Sequence, residues 1–162
     1  MTKRQTTMKH FLSGIALAFG LLVGAMPVHA EGGEGALMKS GADVRDQASL
    51  QRGARLFFNY CVGCHSLKYM RYSRMAEDLG LTENEVMQNL NFTGAKFDDP
   101  VISHMPADLA QTWFGKDPPD LSLEVDAKGA DWVYTYLNSF YLDPHSPIGW
   151  NNTALPNAAM PF

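Results

Sequence analysis

Cysteine is scarce in this sequence: Cys61 and Cys64 are the only two among 162 residues. A disulfide between them would close a very small loop and would stabilise the fold little. A structural zinc site usually needs four Cys or His ligands, and two of the five histidines, His10 and His29, fall within the first 30 residues. The scarcity therefore argues against a disulfide framework and against a zinc site.

Basic charge and long apolar runs are also lacking beyond residue 30. Residues 1–30 hold three of the thirteen basic side chains and none of the seventeen acidic ones, so residues 31–162 carry a net charge of −7. This acidity argues against binding to nucleic acid or to an anionic membrane surface, and it favours either a basic partner or a solvated acidic face. No later apolar run approaches the roughly 20 residues that a membrane-spanning helix needs.

The first 30 residues have the pattern of a secretory signal peptide. Lys3, Arg4 and Lys9 precede the apolar stretch "FLSGIALAFGLLVGAM", and small residues lead up to Ala30. The stretch is short for a membrane anchor, so we expect cleavage after Ala30 and export of the chain. We expect a flexible, glycine-rich segment at residues 31–42 and a folded domain at residues 43–162.

The rest of the chain shows helical periodicity without strand alternation, internal repeats or a domain linker. We predict a helix from an N-cap at Asp43 to Cys61, and one over residues 81–92 with a Thr82–Glu85 capping box. A short helix is predicted over 106–115, a turn or two of helix over 120–129, and a third clear helix over 130–141. The fold prediction is an all-α domain whose long loops need a buried cofactor to organise them.

The stretch "CVGCH", from Cys61 to His65, is the C-x-x-C-H pattern of covalent haem c attachment. On one turn of helix the two thiols share a side and reach the two vinyl groups of one haem, while the next residue offers its imidazole to the iron. A thioredoxin-like redox motif would need a βαβ context, which the pattern lacks. The motif predicts one covalently bound haem c with His65 as an axial ligand.

The iron then needs a sixth ligand or an open site. A methionine opposite the histidine raises the reduction potential and suits electron transfer. Met105 and Met160 are each followed by proline in an irregular segment, and chemistry alone does not separate them. Any single methionine more often fills the core. His104 or His145 would instead give a bis-histidine site, although such histidines more often lie at the surface or support another ligand.

Several stretches together resemble the cytochrome c1 family, the haem-bearing subunits of ubiquinol–cytochrome c reductase, in their bacterial form. The stretches are "RGARLFFNYCVGCHSLKYMRYSRM", "KDPPDLS", "ADWVYTYLNSFY" and "NAAMP", and the resemblance extends from about Asp43 to Phe162. It implies a small cytochrome c-like helical fold with His65 and Met160 as axial ligands. It further implies that Pro119 packs on the haem and that Tyr69 and Arg71 close its edge. Lys128 is a candidate propionate partner, and Trp132 joins the candidate pocket.

The resemblance also implies a function and a location. A cytochrome c1 accepts one electron from a Rieske iron–sulfur protein, beside cytochrome b, and passes it to a cytochrome c, here expected to be basic. We expect the chain on the periplasmic side of a bacterial inner membrane. Family members continue into a transmembrane helix, so we expect a C-terminally truncated haem domain that associates with the membrane through the complex or through that missing helix. The alternative is an exported haem c protein with an open sixth site, acting as a peroxidase or a gas-binding sensor.

Overall fold

The computed structural model describes residues 36–161. The predicted signal peptide, residues 1–30, lies outside the described residues, as does the start of the predicted flexible segment. The described part contains six helices and four short strands in this order: α1 Gln47–Tyr60, β1 Leu67–Arg71, α2 Tyr72–Leu79, α3 Glu83–Asn89, β2 Pro100–Val101, α4 Ala107–Phe114, α5 Glu124–Lys128, α6 Ala130–Leu137, β3 Phe140–Leu142 and β4 Trp150–Asn152.

The N-cap of helix α1 lies three residues later than predicted. The carboxylate of Asp46 accepts a hydrogen bond from the backbone N–H of Ser49 at 2.9 Å, so Asp46 is the N-cap. Asp43 instead accepts from the backbone N–H and the guanidinium of Arg45, which makes a turn before the helix. The Asp43 prediction was wrong because both aspartates precede the same periodic stretch, and only the backbone conformation decides which one caps it.

The predicted capping box of α3 is confirmed. The Thr82 hydroxyl accepts from the Glu85 backbone N–H at 3.2 Å, and the Glu85 carboxylate accepts from the Thr82 backbone N–H at 2.7 Å. These reciprocal bonds satisfy two backbone donors that a helix start leaves without partners.

The hydrophobic core joins α1, α2 and α3. Its most deeply buried members include Phe58 from α1, Tyr72 from α2, Val86 from α3 and Val101 from β2. Burying each such side chain contributes about 1.5–3 kcal/mol relative to leaving it exposed. The sequence analysis did not predict α2, although "YSRMAEDL" places Tyr72, Met75, Ala76 and Leu79 on one buried face.

The all-α prediction describes the helical framework but omits two small antiparallel sheets. In the first, β1 pairs with β2 through Leu67 opposite Val101, with an irregularity before the next pair. In the second, β3 pairs with β4, and Phe140 lies opposite Asn152. Phe140 was expected on the last helix, which ends at Leu137 instead. Strands of two to five residues are too short to show a period of two, so sequence alternation could not indicate them.

In the second half of the described chain the buried side chains are few and small or polar, and hydrogen bonds join segments that are distant in sequence. Helix α4 ends at Phe114 with Gly115 as its C-cap, and α6 begins at Ala130, close to the predicted limits. Residues 38–40 attach to α6: the Met38 backbone N–H donates to Thr135 Oγ1 at 2.9 Å, and the Ser40 backbone N–H donates to Asp131 at 2.9 Å.

Among residues 36–161, none of the helices has both the length and the apolar character needed to cross a bilayer.

Candidate haem site

The C-x-x-C-H motif continues the rotation of α1 after the helix ends. The backbone N–H of Cys61 donates to Phe57 at 2.8 Å, and the N–H groups of Cys64 and His65 both donate to the Cys61 carbonyl, at 3.0 and 2.8 Å. This turn brings both thiols and the imidazole to the wall of one cavity. No disulfide joins the two cysteines, so both sulfurs are available for thioether bonds. Burial, and after it the neighbouring Cys64, raise the pKa of the Cys61 thiol.

The imidazole of His65 has a defined tautomer. Its Nδ1 lies 2.8 Å from the carbonyl oxygen of Pro119. A carbonyl can only accept, so Nδ1 carries the proton and donates it. The lone pair of Nε2 is therefore available to a metal, and the ring orientation is fixed by a group outside the ligand set.

The segment that supplies this carbonyl is fastened to the residues after the motif. The Leu121 backbone N–H donates to the carbonyl of Ser66 at 2.9 Å. The backbone N–H of Lys68 donates to Asp120 Oδ2 at 2.9 Å. Because these bonds hold the two residues that directly follow Pro119, its carbonyl has little freedom to leave His65.

Met160 lines the same cavity as the motif and is held at two points. The Tyr136 hydroxyl lies 3.5 Å from its sulfur, and the Trp150 indole N–H donates to its carbonyl at 2.9 Å. Two asparagines of β4 hold the segment before Met160 by hydrogen bonds. Asn151 Oδ1 accepts from the Asn157 backbone N–H at 2.8 Å, and buried Asn152 accepts from two backbone N–H groups of the following turn.

Four other methionines of the described chain lie elsewhere. Met75 is buried in the hydrophobic core, and Met70 and Met87 pack against that core. Met105 lies in a loop, where its backbone N–H donates to Ser103 Oγ at 3.1 Å. Met105 is not among the residues that line the cavity. Position alone therefore favours Met160 over Met105 as the sixth ligand.

The cavity has a volume of about 510 Å³ and a mostly apolar wall. That volume is within the range of roughly 300–1,000 Å³ typical of ligand and cofactor pockets. The lining residues come from the end of α1, the motif, the 114–119 segment, α6 and the 155–161 segment: Tyr60, Cys61, Cys64, His65, Phe114, Lys116, Asp117, Pro118, Pro119, Tyr136, Leu155, Ala158, Ala159, Met160 and Pro161. Two thiols, an imidazole and a thioether in an apolar cavity fit haem c.

Four predicted pocket residues do not line this cavity. Tyr69 is 67% exposed on β1, and the guanidinium of Arg71 donates to the backbone carbonyl of Asp98. The ammonium of Lys128 lies 4.4 Å from the ring centroid of Trp132, and that ring stacks on Tyr136. Of the pocket candidates that the resemblance suggested, the cavity wall includes Pro119.

The sequence analysis missed several wall residues, above all Tyr136 and the pair Phe114 and Leu155. One signal for Tyr136 was available, since it follows Trp132 by four positions on a predicted helix and so shares its face. Phe114 and Leu155 lie at the end of a helix and in a loop, where periodicity says nothing about orientation.

The chain is similar to known proteins over most of its length. Residues 38–161 match the Cytochrome C1 family. The chain is 51% identical over 147 residues to cytochrome c1 of Allochromatium vinosum, covering 91% of this chain and 60% of that protein. It is 41% identical over 145 residues to a protein named ammonia monooxygenase gamma subunit from Nitrosomonas europaea, covering 90% of this chain and 62% of that protein.

A further relative is cytochrome c1 of Blastochloris viridis, which is 35% identical over 160 residues, covering 81% of this chain and 57% of that protein. The chain thus spans about three fifths of the length of these curated relatives. The resemblance found in the sequence is confirmed: the chain belongs to the cytochrome c1 family, and its cofactor is haem c.

Proposed function

We propose that this chain is a one-electron carrier of a quinol–cytochrome c reductase, with a haem c whose iron is ligated by His65 and Met160. The observation that supports this most is that both residues line the cavity that Cys61 and Cys64 also line. Each also has a partner that orients it, namely Pro119 for the imidazole and Tyr136 for the thioether. A His/Met pair is the ligand set that suits electron transfer at a raised potential.

The chain's own residues have separate tasks in this function. The Cys61 and Cys64 sulfurs hold the cofactor covalently, so it stays in place even where few residues of the cavity wall cover it. His65 offers Nε2 because Nδ1–H is engaged, and the apolar wall keeps water away. When bound, haem c supplies an iron that takes up and releases one electron.

The alternative function, a peroxidase or a gas-binding sensor, requires an open sixth position. The sulfur of Met160 in the cavity wall favours electron transfer over this alternative, because a thioether there competes with any small ligand for the iron. The second contact of Met160, through Trp150, holds its backbone, so the residue stays beside the cavity.

The proposed partners are cytochrome b and a Rieske iron–sulfur protein as donor, with a cytochrome c as acceptor. The net charge of −7 on residues 31–162 favours a basic acceptor, which would be steered electrostatically to a small, short-lived interface. The proposed location is the periplasmic side of the inner membrane, reached through the signal peptide at residues 1–30. Membrane association would come from the complex or from a C-terminal helix.

The ligand assignment can be tested by comparing two methionine variants of the haem-loaded protein. We expect Met160→Ala to give high-spin iron that binds carbon monoxide once reduced, because the sulfur ligand is gone. We expect Met105→Ala, the matched control, to keep the low-spin spectrum. Optical spectra of both oxidation states, with and without carbon monoxide, make the comparison.

Two results would contradict the proposal in different ways. A low-spin Met160→Ala protein together with a high-spin Met105→Ala protein would reverse the ligand assignment. A wild-type protein that is itself high-spin and binds carbon monoxide would favour the open-site alternative.

A further inference from the structure

The hydroxyl of Tyr136 faces the sulfur of the proposed ligand. Its oxygen lies 3.5 Å from Met160 Sδ, within reach of a hydrogen bond to the large sulfur atom. The direction of that bond is fixed by chemistry, since a thioether has no proton and can only accept, while a phenol can donate. Tyr136 therefore donates to Met160.

The Tyr136 ring is held so that the hydroxyl keeps this direction. It stacks on Trp132 with the ring centroids 5.4 Å apart and the planes 6° from parallel. It also meets the ring of Phe140 edge to face at 5.2 Å. Its backbone carbonyl accepts from Asn152 Nδ2 at 2.8 Å, which ties α6 to β4. A half-buried tyrosine with this support has few other rotamers open to it.

Met160 is restrained at its other end as well. The indole N–H of Trp150 donates to its backbone carbonyl at 2.9 Å, and the neighbouring Ala158 is buried. Main chain and sulfur are thus fixed by two different aromatic residues. Trp150 determines where the residue sits, and the Tyr136 hydroxyl is the group that acts on the sulfur itself.

We infer that Tyr136 is a positioning residue that raises the reduction potential of the haem by hydrogen bonding to Met160 Sδ. This inference rests on the proposed function, because it takes Met160 as the sixth ligand. A donor hydrogen bond draws electron density from the thioether, so the sulfur gives less charge to the metal and the reduced state is favoured. Hydrogen bonds to a ligand from outside the coordination shell are an established means of setting such potentials.

The test compares Tyr136→Phe with Tyr134→Phe in the haem-loaded protein. Tyr134 is on the same helix, is exposed, and is not among the residues lining the cavity, so it is a matched control. We expect Tyr136→Phe to stay low-spin and keep the sulfur-to-iron charge-transfer absorption. Its equilibrium constant for reduction should fall by up to about tenfold, which is about 59 mV for a one-electron couple. Tyr134→Phe should match the wild type.

A second measurement should shift the reduction potential in the opposite direction. A fluorinated tyrosine incorporated at position 136 is a stronger donor than tyrosine, so the potential should rise above that of the wild type. A purely structural role for the ring predicts no such rise, because ring packing is almost unchanged. The inference is overturned if the potential of Tyr136→Phe equals that of the control or exceeds it, or if the fluorinated protein shows no rise.

Failure of the proposed function is recognised separately with Met160→Leu. If that variant keeps the charge-transfer absorption, Met160 is not the ligand, and both the proposal and the inference fall. If that absorption disappears in Met160→Leu while Tyr136→Phe shows no shift, the ligand assignment stands and only the role of Tyr136 is overturned.

Discussion

His65 is oriented by a backbone carbonyl that lies 54 residues further along the chain. Met160 is likewise oriented by Tyr136, 24 residues earlier, and by Trp150, 10 residues earlier. These contacts show a common feature of the site: each proposed ligand has a dedicated partner that is not itself a ligand. The partners restrict rotation of the ligand side chains, so little ordering remains to be done when the cofactor is attached.

Asp131 provides a residue-level prediction about acid stability. Its carboxylate accepts from the Lys39 ammonium at 2.8 Å and from both the hydroxyl and the backbone N–H of Ser40. The hydrogen bond from Lys39, followed by those from Ser40, lowers the pKa of Asp131 from 3.8 to about 2. Because the folded pKa lies below the ordinary value, the stabilisation is complete above about pH 4 and is lost as the pH falls towards 2.

We therefore expect Asp131→Asn to lack this part of the acid dependence. Thermal denaturation followed by circular dichroism gives the midpoint temperature at each pH. Between pH 4 and pH 2, this temperature should fall more steeply for the wild type than for the variant. Asp126→Asn is the control, because Asp126 is an exposed carboxylate on α5 without a side-chain hydrogen bond or ion pair in the part of the chain described here. If the midpoint temperatures of the wild type and of Asp131→Asn fall in parallel as the pH is lowered, the prediction is contradicted.

Among the helices, two glycines have opposite roles. Gly53 lies inside α1, is exposed, and has no atom within 4 Å of where a Cβ would be. Gly80 ends α2 in the left-handed region with φ of +60°, and a Cβ there would also meet the side-chain amide of Gln47. The first position disfavours glycine because of its backbone entropy, whereas the second requires the freedom that glycine has.

Alanine at these two positions should change stability in opposite directions. We expect Gly53→Ala to stabilise the protein by about 0.5–1 kcal/mol, since it removes backbone freedom from the unfolded chain. Gly80→Ala should destabilise it by about 1–2 kcal/mol, the cost of a Cβ in the left-handed conformation. Chemical denaturation of the haem-loaded variants gives both values, and shifts of the same sign would contradict the assignment of these helix positions.

Across the whole described chain, the apolar core is unevenly distributed. The main buried cluster runs from Phe58 to Val101 and belongs to α1, α2, α3 and the first sheet. Beyond it, the buried residues are scattered and small or polar, such as Ala110, Asn152 and Ala158. The later segments border the cavity, so the haem itself should take the place of a core for this half.

This unevenness predicts what happens when the cofactor is absent. In a protein with both Cys61→Ser and Cys64→Ser, which cannot attach haem, we expect amide hydrogen exchange to accelerate in residues 107–161. Residues 47–101 should keep more of their protection, because their apolar cluster does not depend on the cofactor. The haem-loaded wild type is the reference, and uniform loss of protection along the chain would contradict this division.

The sequence alone predicted the haem c cofactor, which membership of the family confirms, and most of the helices. Cys61, Cys64 and His65 lie within five consecutive residues, so their spacing already places them on one side of a turn, and the cofactor prediction follows from it. The Thr82–Glu85 capping box and the end of α4 at its C-cap Gly115 were equally predictable, because their signals are local. The same reasoning left Met105 and Met160 undecided, and only the family resemblance separated them.

Only the tertiary structure decided which distant side chains share the cavity. It brings Met160 and Pro119 to the motif, adds Tyr136, and leaves Tyr69, Arg71, Lys128 and Trp132 outside the cavity wall. It also revealed the short sheets, whose strands form by pairing with partners elsewhere in the chain. The physical reason is that local patterns encode turns and helix faces, whereas a cavity is closed by contacts between segments that are tens of residues apart.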